Sequence, residues 1–453
     1  MRNQVFKKLF SVLLALIMVA GLLPASVLAE GEGNADSTPA PTEAVQPTES
    51  AEPTAPTETE TPEVTEVPEP MPENPAATVE PTQGEPTAEP TEGITIAPVN
   101  EVAAQAATTD DMYVKKEGNG KRLEDETFYR IFLLDCGRKY FTVDEIKGII
   151  DLLKANHYTH IELAFGNEGL RLLLNEDDMG LSFYDKDGNR ITKTGKEVNA
   201  AIQYGNDQFD SAANYNPGNT EELTQDDMDK IIAYAKENGI GVIPLFNAPG
   251  HMYTVIKAME KLGLGTNGKK AGNAGSSPNW AIDPTNATAV NFTRALLQKY
   301  VDYFKNACTL FNIGADESNI DTSNYSAYAM LVNSHAAMVQ NAGMVAMAFN
   351  DGIYNPAYTS SLGGVEFDNN IVISYWTYSN YATAASLAGK GFIINSTHNN
   401  WYYVLGLNDS SWAGLSTALK NMETVKCTDV DSGYTTDSGC TLAVWCDNAY
   451  QSY

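Results

Sequence analysis

Basic residues are scarce. Of 453 residues only 29 are Lys or Arg, against 58 Asp or Glu, and the formal net charge is −29. So acidic a chain has little to offer a polyanion or an anionic bilayer, which argues against nucleic acid and membrane surfaces as partners. Cysteine is nearly as rare. There are five, an odd number, too few for a disulfide scaffold and without the spacing of a zinc site, so no metal is expected. A single pair among Cys427, Cys440 and Cys446 stays open, with buried free thiols as the alternative. A phosphate site would want Gly-rich backbone and a Lys at the ends of the strands; neither is seen there, and no cofactor is expected.

The shortages are also local. Residues 30–109 hold no Lys, no Arg and no aromatic side chain, but 17 of the acids and 14 of the 21 prolines. Such a stretch buries too little apolar area to offset its ordering entropy, and like charge and proline extend it. It reads as a disordered Pro/Thr/Glu-rich linker that spaces a folded part from a wall or a neighbouring module. Long apolar runs are missing except at Leu9 to Leu23, behind Arg2, Lys7 and Lys8 and ahead of Val27-Leu28-Ala29. Residues 1–29 therefore read as a secretory signal peptide, an uncleaved membrane anchor being the alternative. After cleavage the chain would begin near Glu30 with no membrane insertion. Residues 110–128 form a lead-in.

From residue 129 to 453 short apolar runs alternate with amphipathic stretches. The runs are 130–136, 158–165, 241–247, 308–314, 344–350, 370–376, 391–397 and 440–446. Helical spacing falls between them, for example Ile146, Ile149, Ile150 and Leu153, with weaker patterns at 380–389 and 412–422. Residues 166–222 are a long polar excursion. Eight strand–helix units predict a (β/α)8 TIM barrel, with a doubly wound open sheet as the rival. The chain stops soon after the eighth strand, so the last helix is expected to be missing.

In a barrel, chemistry gathers beyond the strand C-termini. Those positions carry Asp135 and Arg138, then Asn167 and Glu168, Asn247 and His251, Asp316 and Glu317, Asn350 and Asp351, Trp376, then Trp401, Tyr402 and Tyr403, and Trp445 with Asp447. Carboxylates, amides, one Arg and several aromatics together suit a sugar: rings pack on the C–H face of a pyranose and charged groups fork to its hydroxyls. Alone, each has a plainer reading as a surface ion pair, a turn or a core aromatic. Their coincidence at one rim carries the argument.

The strings FLLDCGRKYFTVDEI, VIPLFNAPGHM, FNIGADES, AFNDGIY, NWYYVLG and AVWCDN, in this order over about 125–450, resemble the catalytic barrel of glycoside hydrolase family 20. They are most similar to the branch of streptococcal surface exo-β-N-acetylglucosaminidases and bacterial lacto-N-biosidases. The resemblance implies a bacterial enzyme, secreted or on the cell surface, acting on host or microbial glycans that contain N-acetylhexosamine. It implies an exo-acting, retaining β-N-acetylhexosaminidase in which the substrate's 2-acetamido oxygen attacks C1 and an oxazolinium forms. The alternatives are a lacto-N-biosidase using the same chemistry and a non-catalytic glycan-binding barrel. Cell-wall attachment through a missing C-terminal region is a further expectation.

By the same resemblance Glu317 is the acid and then the base, and Asp316 holds the acetamido N–H. Tyr403, or Tyr402 one residue earlier, bonds the acetamido carbonyl. Arg138 and Asp447 bind hydroxyls, Trp376 and Trp445 wall the sugar, and His251 supports the acid. Trp401, Asp351 and Asn247 complete the substrate-binding set. Two adjacent carboxylates predict that one pKa rises, suiting a proton donor near neutral pH. The chain departs from the family pattern at Asn312, Gly314-Ala315, Leu245, Asn247 and GNEGLR (166–171), which bears on outer hydroxyl contacts more than on the acidic pair.

Overall fold

The computed structural model describes residues 128–212, 221–265, 268–270, 280–318, 320–377, 380–404, 426–431 and 433–447. Eight parallel strands form the centre: β1 (Tyr129–Leu134), β2 (His160–Asn167), β3 (Gly241–Phe246), β4 (Leu310–Asn312), β5 (Val345–Phe349), β6 (Val372–Tyr375), β7 (Ile393–Asn395) and β8 (Gly439–Trp445). Each pairs with the next, and β8 returns to β1 from Tyr129↔Gly439 to Leu134↔Val444. This ring has no free edge, so the barrel is closed and the open-sheet alternative falls.

Continuous apolar sequence is what a strand covered on both faces requires. On β1, Ile131 and Leu133 face the barrel interior, while Phe132 and Leu134 pack outward against helices. The interior is layered. Ile131, Ile243, Met347 and Ile394 belong to a lower apolar layer. Leu133, Leu245, Phe349 and Ala443 belong to an upper one. Strand alternation sets a polar belt between them, Glu162, Asn312, Ser374 and Thr441 from β2, β4, β6 and β8, each at most 1% exposed. No apolar-run reading of the strands foresees this belt.

The outer helices are α1 (Val143–Ala155), α2 (Gly195–Ala212), α3 (Gln225–Glu237), α4 (Tyr253–Lys261), α5 (Ala287–Phe304), α6 (Tyr325–Asn341) and the one-turn α7 (Ala384–Leu387). α1 buries the predicted stripe Ile146, Ile149, Ile150 and Leu153. Thr142 with Glu145 and Thr224 with Asp227 close capping boxes on α1 and α3, each worth about 1 kcal/mol. The polar excursion is more ordered than its composition suggests. It holds a hairpin, Leu181–Tyr184 with Arg190–Lys193, and then α2. Gly195 and Gly205 disguise that helix in the sequence. Gly205 is where α2 meets α4: a Cβ there would sit 2.4 Å from the Thr254 carbonyl oxygen.

The seventh strand position is split. β7 meets β8 only at Asn395↔Cys440, and after a turn the short strand Tyr402–Val404 continues the pairing as Tyr402↔Ala443, Tyr403↔Val444 and Val404↔Trp445. The leader, the linker, almost all of the lead-in, the helical pattern at 412–422 and residues 448–453 lie outside the described residues. Among the described residues, no helix is long and apolar enough to cross a membrane.

Candidate active site

The turn after β4 carries the acidic pair in a strained backbone. Gly314, Ala315 and Glu317 all have positive φ, 76°, 69° and 42°. Non-glycine residues in that region persist only where their surroundings over-determine them. Four contacts do so here. Asn312 Oδ1 accepts the Gly314 N–H at 2.8 Å, and Asn312 Nδ2 donates to Glu162 Oε1 at 2.6 Å. Tyr328 Oη donates to the Ala315 carbonyl at 2.6 Å, and Asp351 Oδ2 accepts the Glu317 N–H at 2.7 Å. Gly314 is required sterically as well, since a Cβ would lie 2.0 Å from Asn247 Oδ1.

The two carboxylates then diverge. Asp316 is buried and accepts from Asn247 Nδ2 at 2.6 Å. Glu317 keeps half its side chain in solvent, 50% exposed against 9% for Asp316. His251 stands between them, with Nε2 3.1 Å from Glu317 Oε2 and 3.8 Å from Asp316 Oδ2. Its Nδ1 lies 3.1 Å from Glu168 Oε1 and 3.2 Å from Arg138 Nη2. Burial opposes charge on the ring, but Asp316 and the hydrogen bonds to Glu168 and Glu317 outweigh it and hold the His251 pKa well above the ordinary imidazole value.

These forces push the two carboxylates in opposite directions. Burial pushes the Asp316 pKa up, with Glu317 adding to the rise against the pull of His251. Burial also pushes Glu317 up, but the hydrogen bond and charge of His251 win, and its pKa ends below the ordinary glutamate value. One member of the pair is raised, as expected, but it is Asp316 and not the assigned proton donor. The physical reason is the imidazolium against Glu317. Asp351 is pushed to about 8 by burial and then by Asp316.

A wall of aromatic side chains faces this turn. Trp376 stacks on Tyr402, ring centroids 6.0 Å apart and planes 8° from parallel. Trp445 meets Tyr402 edge-on at 5.6 Å. Trp376 Nε1–H donates to Asp351 Oδ1 at 3.1 Å, tying the wall to the acidic turn. Arg138 lies over Trp445 at 5.9 Å, 2.9 Å from Asp135 and 3.7 Å from Asp447. Carboxylates, an imidazole, a guanidinium and stacked rings therefore meet at one barrel mouth, a combination that can hydrogen-bond polar groups and pack against a ring.

Eight of the residues singled out in the sequence are linked to one another by contacts at this mouth: Asp316, Glu317, Arg138, His251, Asn247, Asp351, Trp376 and Asp447. Tyr402 and Trp445 join them. Two do not. Registered residues of parallel strands share a side, so Tyr402 faces inward with Ala443, and Tyr403 faces outward with Val444. Tyr403 packs on the outer cluster, so of the two tyrosines it is Tyr402 that lies on the inner side. Trp401 is buried in that same outer cluster, and its Nε1–H has no hydrogen-bond partner among the described residues. Sequence reasoning places Glu168 at the rim without a role of its own and passes over Glu162. Glu168 follows β2 with φ 60° and is buried against His251, and Glu162 props Asn312. A carboxylate inside an apolar strand, as in HIELAF, is the signal that marks Glu162.

The model for glycosyl hydrolase family 20, catalytic domain, matches residues 128–442. A lacto-N-biosidase of Bifidobacterium bifidum is 27% identical over 250 residues, 50% of this chain and 21% of that protein, so the chain spans only 21% of that relative's length. The structure of the pneumococcal virulence factor StrH is similar at 31% identity and a TM-score of 0.63, over 72% of this chain and 79% of that one. A second StrH structure, described as the tandem catalytic modules of a pneumococcal exo-β-D-N-acetylglucosaminidase, gives 32% identity and 0.62 over 72% and 80%. Dispersin B, at 20% identity and 0.51 over 71% and 93%, shares the fold.

Proposed function

This chain belongs to glycosyl hydrolase family 20, and from that premise we propose that it is an exo-acting β-N-acetylhexosaminidase that releases terminal β-linked GlcNAc or GalNAc with retention. The observation that supports this most is the pairing of a buried Asp316 with a half-exposed Glu317 around one imidazole, opposite stacked rings. Asp316 accepts the acetamido N–H and Tyr402 donates to the acetamido oxygen. That oxygen attacks C1 while Glu317 protonates the departing glycosidic oxygen, giving an oxazolinium whose charge Asp316 balances. Glu317 then takes a proton from water, which attacks C1 and reopens the ring. The acetamide is thus a requirement, because a plain glucoside brings no nucleophile.

Glu317 is ionised in the free enzyme, paired with His251. A sugar seated over its exposed half removes water and adds desolvation, which raises its pKa so that it takes up the proton held by His251 before it acts as the donor. Arg138 and Asp447 bind the ring hydroxyls, and Trp376 and Trp445 bound the ring and its acetamide. Glu317→Gln on a GlcNAc-β-terminated oligosaccharide should lower kcat by roughly 10²–10⁴ with little change in affinity for an unhydrolysed ligand. A rate near that of the parent sinks the assignment. A thiazoline mimic of the oxazoline should inhibit competitively; absence of inhibition points to a covalent enzyme nucleophile.

Release of a disaccharide is the second reading, favoured by the similarity to a lacto-N-biosidase. Comparing p-nitrophenyl N-acetyl-β-glucosaminide with p-nitrophenyl β-lacto-N-bioside separates the two. Chitobiose binding with no turnover of either substrate identifies a non-catalytic barrel instead. We place the enzyme outside a bacterial cell, exported by residues 1–29 and spaced by residues 30–109. N-terminal sequencing of the exported protein should start near Glu30; an intact Met1 there refutes cleavage.

A further inference from the structure

Away from the catalytic mouth, the barrel seam brings two thiols together. Cys440 is the second residue of β8 and pairs with Asn395 of β7. The Asn395 side chain reaches the other way. Its Nδ2 donates to the Cys427 carbonyl at 2.9 Å and to the Asp429 carbonyl at 2.7 Å. One asparagine therefore fastens the segment ahead of the hairpin Asp429–Asp431/Tyr434–Thr435 to the strand that carries Cys440. Registered residues of parallel strands share a side, so the Cys440 side chain stands beside the Asn395 side chain that holds Cys427, and both cysteines are thiols in this structure. Cys440 is buried and Cys427 is half-buried, which leaves the pair open to a small oxidant from the Cys427 side.

We propose that Cys427 and Cys440 form an intrachain disulfide that fastens this hairpin to the β7–β8 seam. The proposal rests on the placement of the two residues and not on the proposed activity. Cys427 is the attacking group. The hydrogen bond from Cys440 holds its pKa down, with Arg130 assisting against burial, while the same hydrogen bond and burial push Cys440 up. With a small-molecule disulfide such as oxidised glutathione, the Cys427 thiolate attacks one sulfur and expels a glutathione thiolate. Cys440 then gives up its proton to solvent and attacks Cys427 Sγ in the mixed disulfide, expelling the second. The two protein thiols lose two electrons and two protons, and the oxidant becomes two thiols. The closed loop is short, about 14 residues, and it constrains the unfolded chain. It also anchors the start of the strand that ends at Trp445, two residues before Asp447.

The test is thiol counting on the whole chain incubated with oxidised glutathione, then denatured and alkylated without reductant. Three alkylated cysteines are expected, Cys136, Cys308 and Cys446, against five after reduction. No Lys or Arg lies between residues 427 and 440, so cleavage before Asp is used to split them. A fragment ending at Thr428 should then be found linked to one starting at Asp437. Cys446→Ser should keep the link, and Cys440→Ser should abolish it. Five alkylated cysteines in the oxidised protein, or a link that survives in Cys440→Ser, overturns the proposal. Reductant should also lower the Tm of the oxidised protein by roughly 5 °C, with no shift in Cys427→Ser.

Discussion

The sharpest discrimination available is between two adjacent tyrosines. Tyr402 is 8% exposed, packed between Trp376 and Trp445, and its hydroxyl has no hydrogen-bond partner among the described residues. Burial pushes its pKa well above the ordinary tyrosine value, so it stays a neutral donor at any working pH. Tyr402→Phe removes that donor and leaves the ring stack in place, so the fold should tolerate it. If the hydroxyl donates to the acetamido oxygen as charge develops there, its loss costs what an oxyanion-type donor costs, about 2.7–4 kcal/mol, or 10²–10³ in rate. Tyr403→Phe alters a side chain that packs on the outer cluster and should leave kcat/KM within about threefold, under 1 kcal/mol. The assay is steady-state release of p-nitrophenol from p-nitrophenyl N-acetyl-β-glucosaminide, with thermal unfolding run on both variants. The reasoning fails if Tyr403→Phe loses the larger factor, or if Tyr402→Phe keeps near-parent rates while folded.

Three other perturbations probe the supports of the acidic turn. Gly314→Ala places a Cβ 2.0 Å from Asn247 Oδ1 at a φ of 76°, so it should lower kcat at least tenfold and reduce the Tm by several degrees, the left-handed backbone alone costing about 1–2 kcal/mol; an unchanged Tm refutes the contact. Glu162→Leu strands the buried Asn312 Nδ2 at about 1–3 kcal/mol, whereas Glu162→Gln keeps an acceptor, so kcat should fall more in the first than in the second with KM nearly constant. In the pH profile of kcat/KM, the acid limb follows ionisation of Asp316 and should lie above an ordinary aspartate's 3.8. The basic limb follows loss of the proton shared by Glu317 and His251 and should lie above 6.5. The stability signs differ. The raised His251 contributes fully below pH 6.5 and is lost as pH rises through its folded value; the lowered Glu317 contributes above 4.5 and is lost as pH falls through its own. A basic limb that stays put in His251→Gln contradicts the sharing.

The strands and the acidic pair were legible because their signals are local. Apolar runs such as RIFLLDC and VIPLFN report burial on both faces, and the polar residues that end them report a barrel mouth. Tertiary register was not legible. Whether Tyr402 or Tyr403 faces inward depends on pairing with Ala443 and Val444, some 40 residues on, and a one-residue slip turns every side chain over. Helix α2 was lost to its glycines, although Val198, Ala201, Ile202 and Phe209 keep helical spacing; Gly205 serves a close approach to α4 that no local rule reveals. The raised pKa falls on the other member of the pair for a similar reason. Adjacency in sequence shows that two carboxylates interact, but the imidazolium that decides between them comes from the loop after β3.

That imidazolium also explains the unequal exposure of the pair. On the proposed mechanism Asp316 never transfers a proton. It must remain an anion facing the acetamide, where a dry setting strengthens its attraction for the oxazolinium, and Asn247 with His251 offsets the cost of burying it there. Glu317 has the opposite role. It exchanges a proton twice, first with a leaving oxygen and then with water, so it needs an open side. Its backbone is therefore what the fold immobilises, by Asp351 from the turn after β5, by Tyr328 from α6 through Ala315, and by Glu162 and Asn312 from inside the barrel. Its carboxyl meets none of those four and lies instead against His251. Fixing the chain while freeing the carboxyl keeps the acid within reach of C1 and lets the arriving sugar, by displacing water from the exposed half, turn a paired carboxylate into a donor at the moment the substrate is in place.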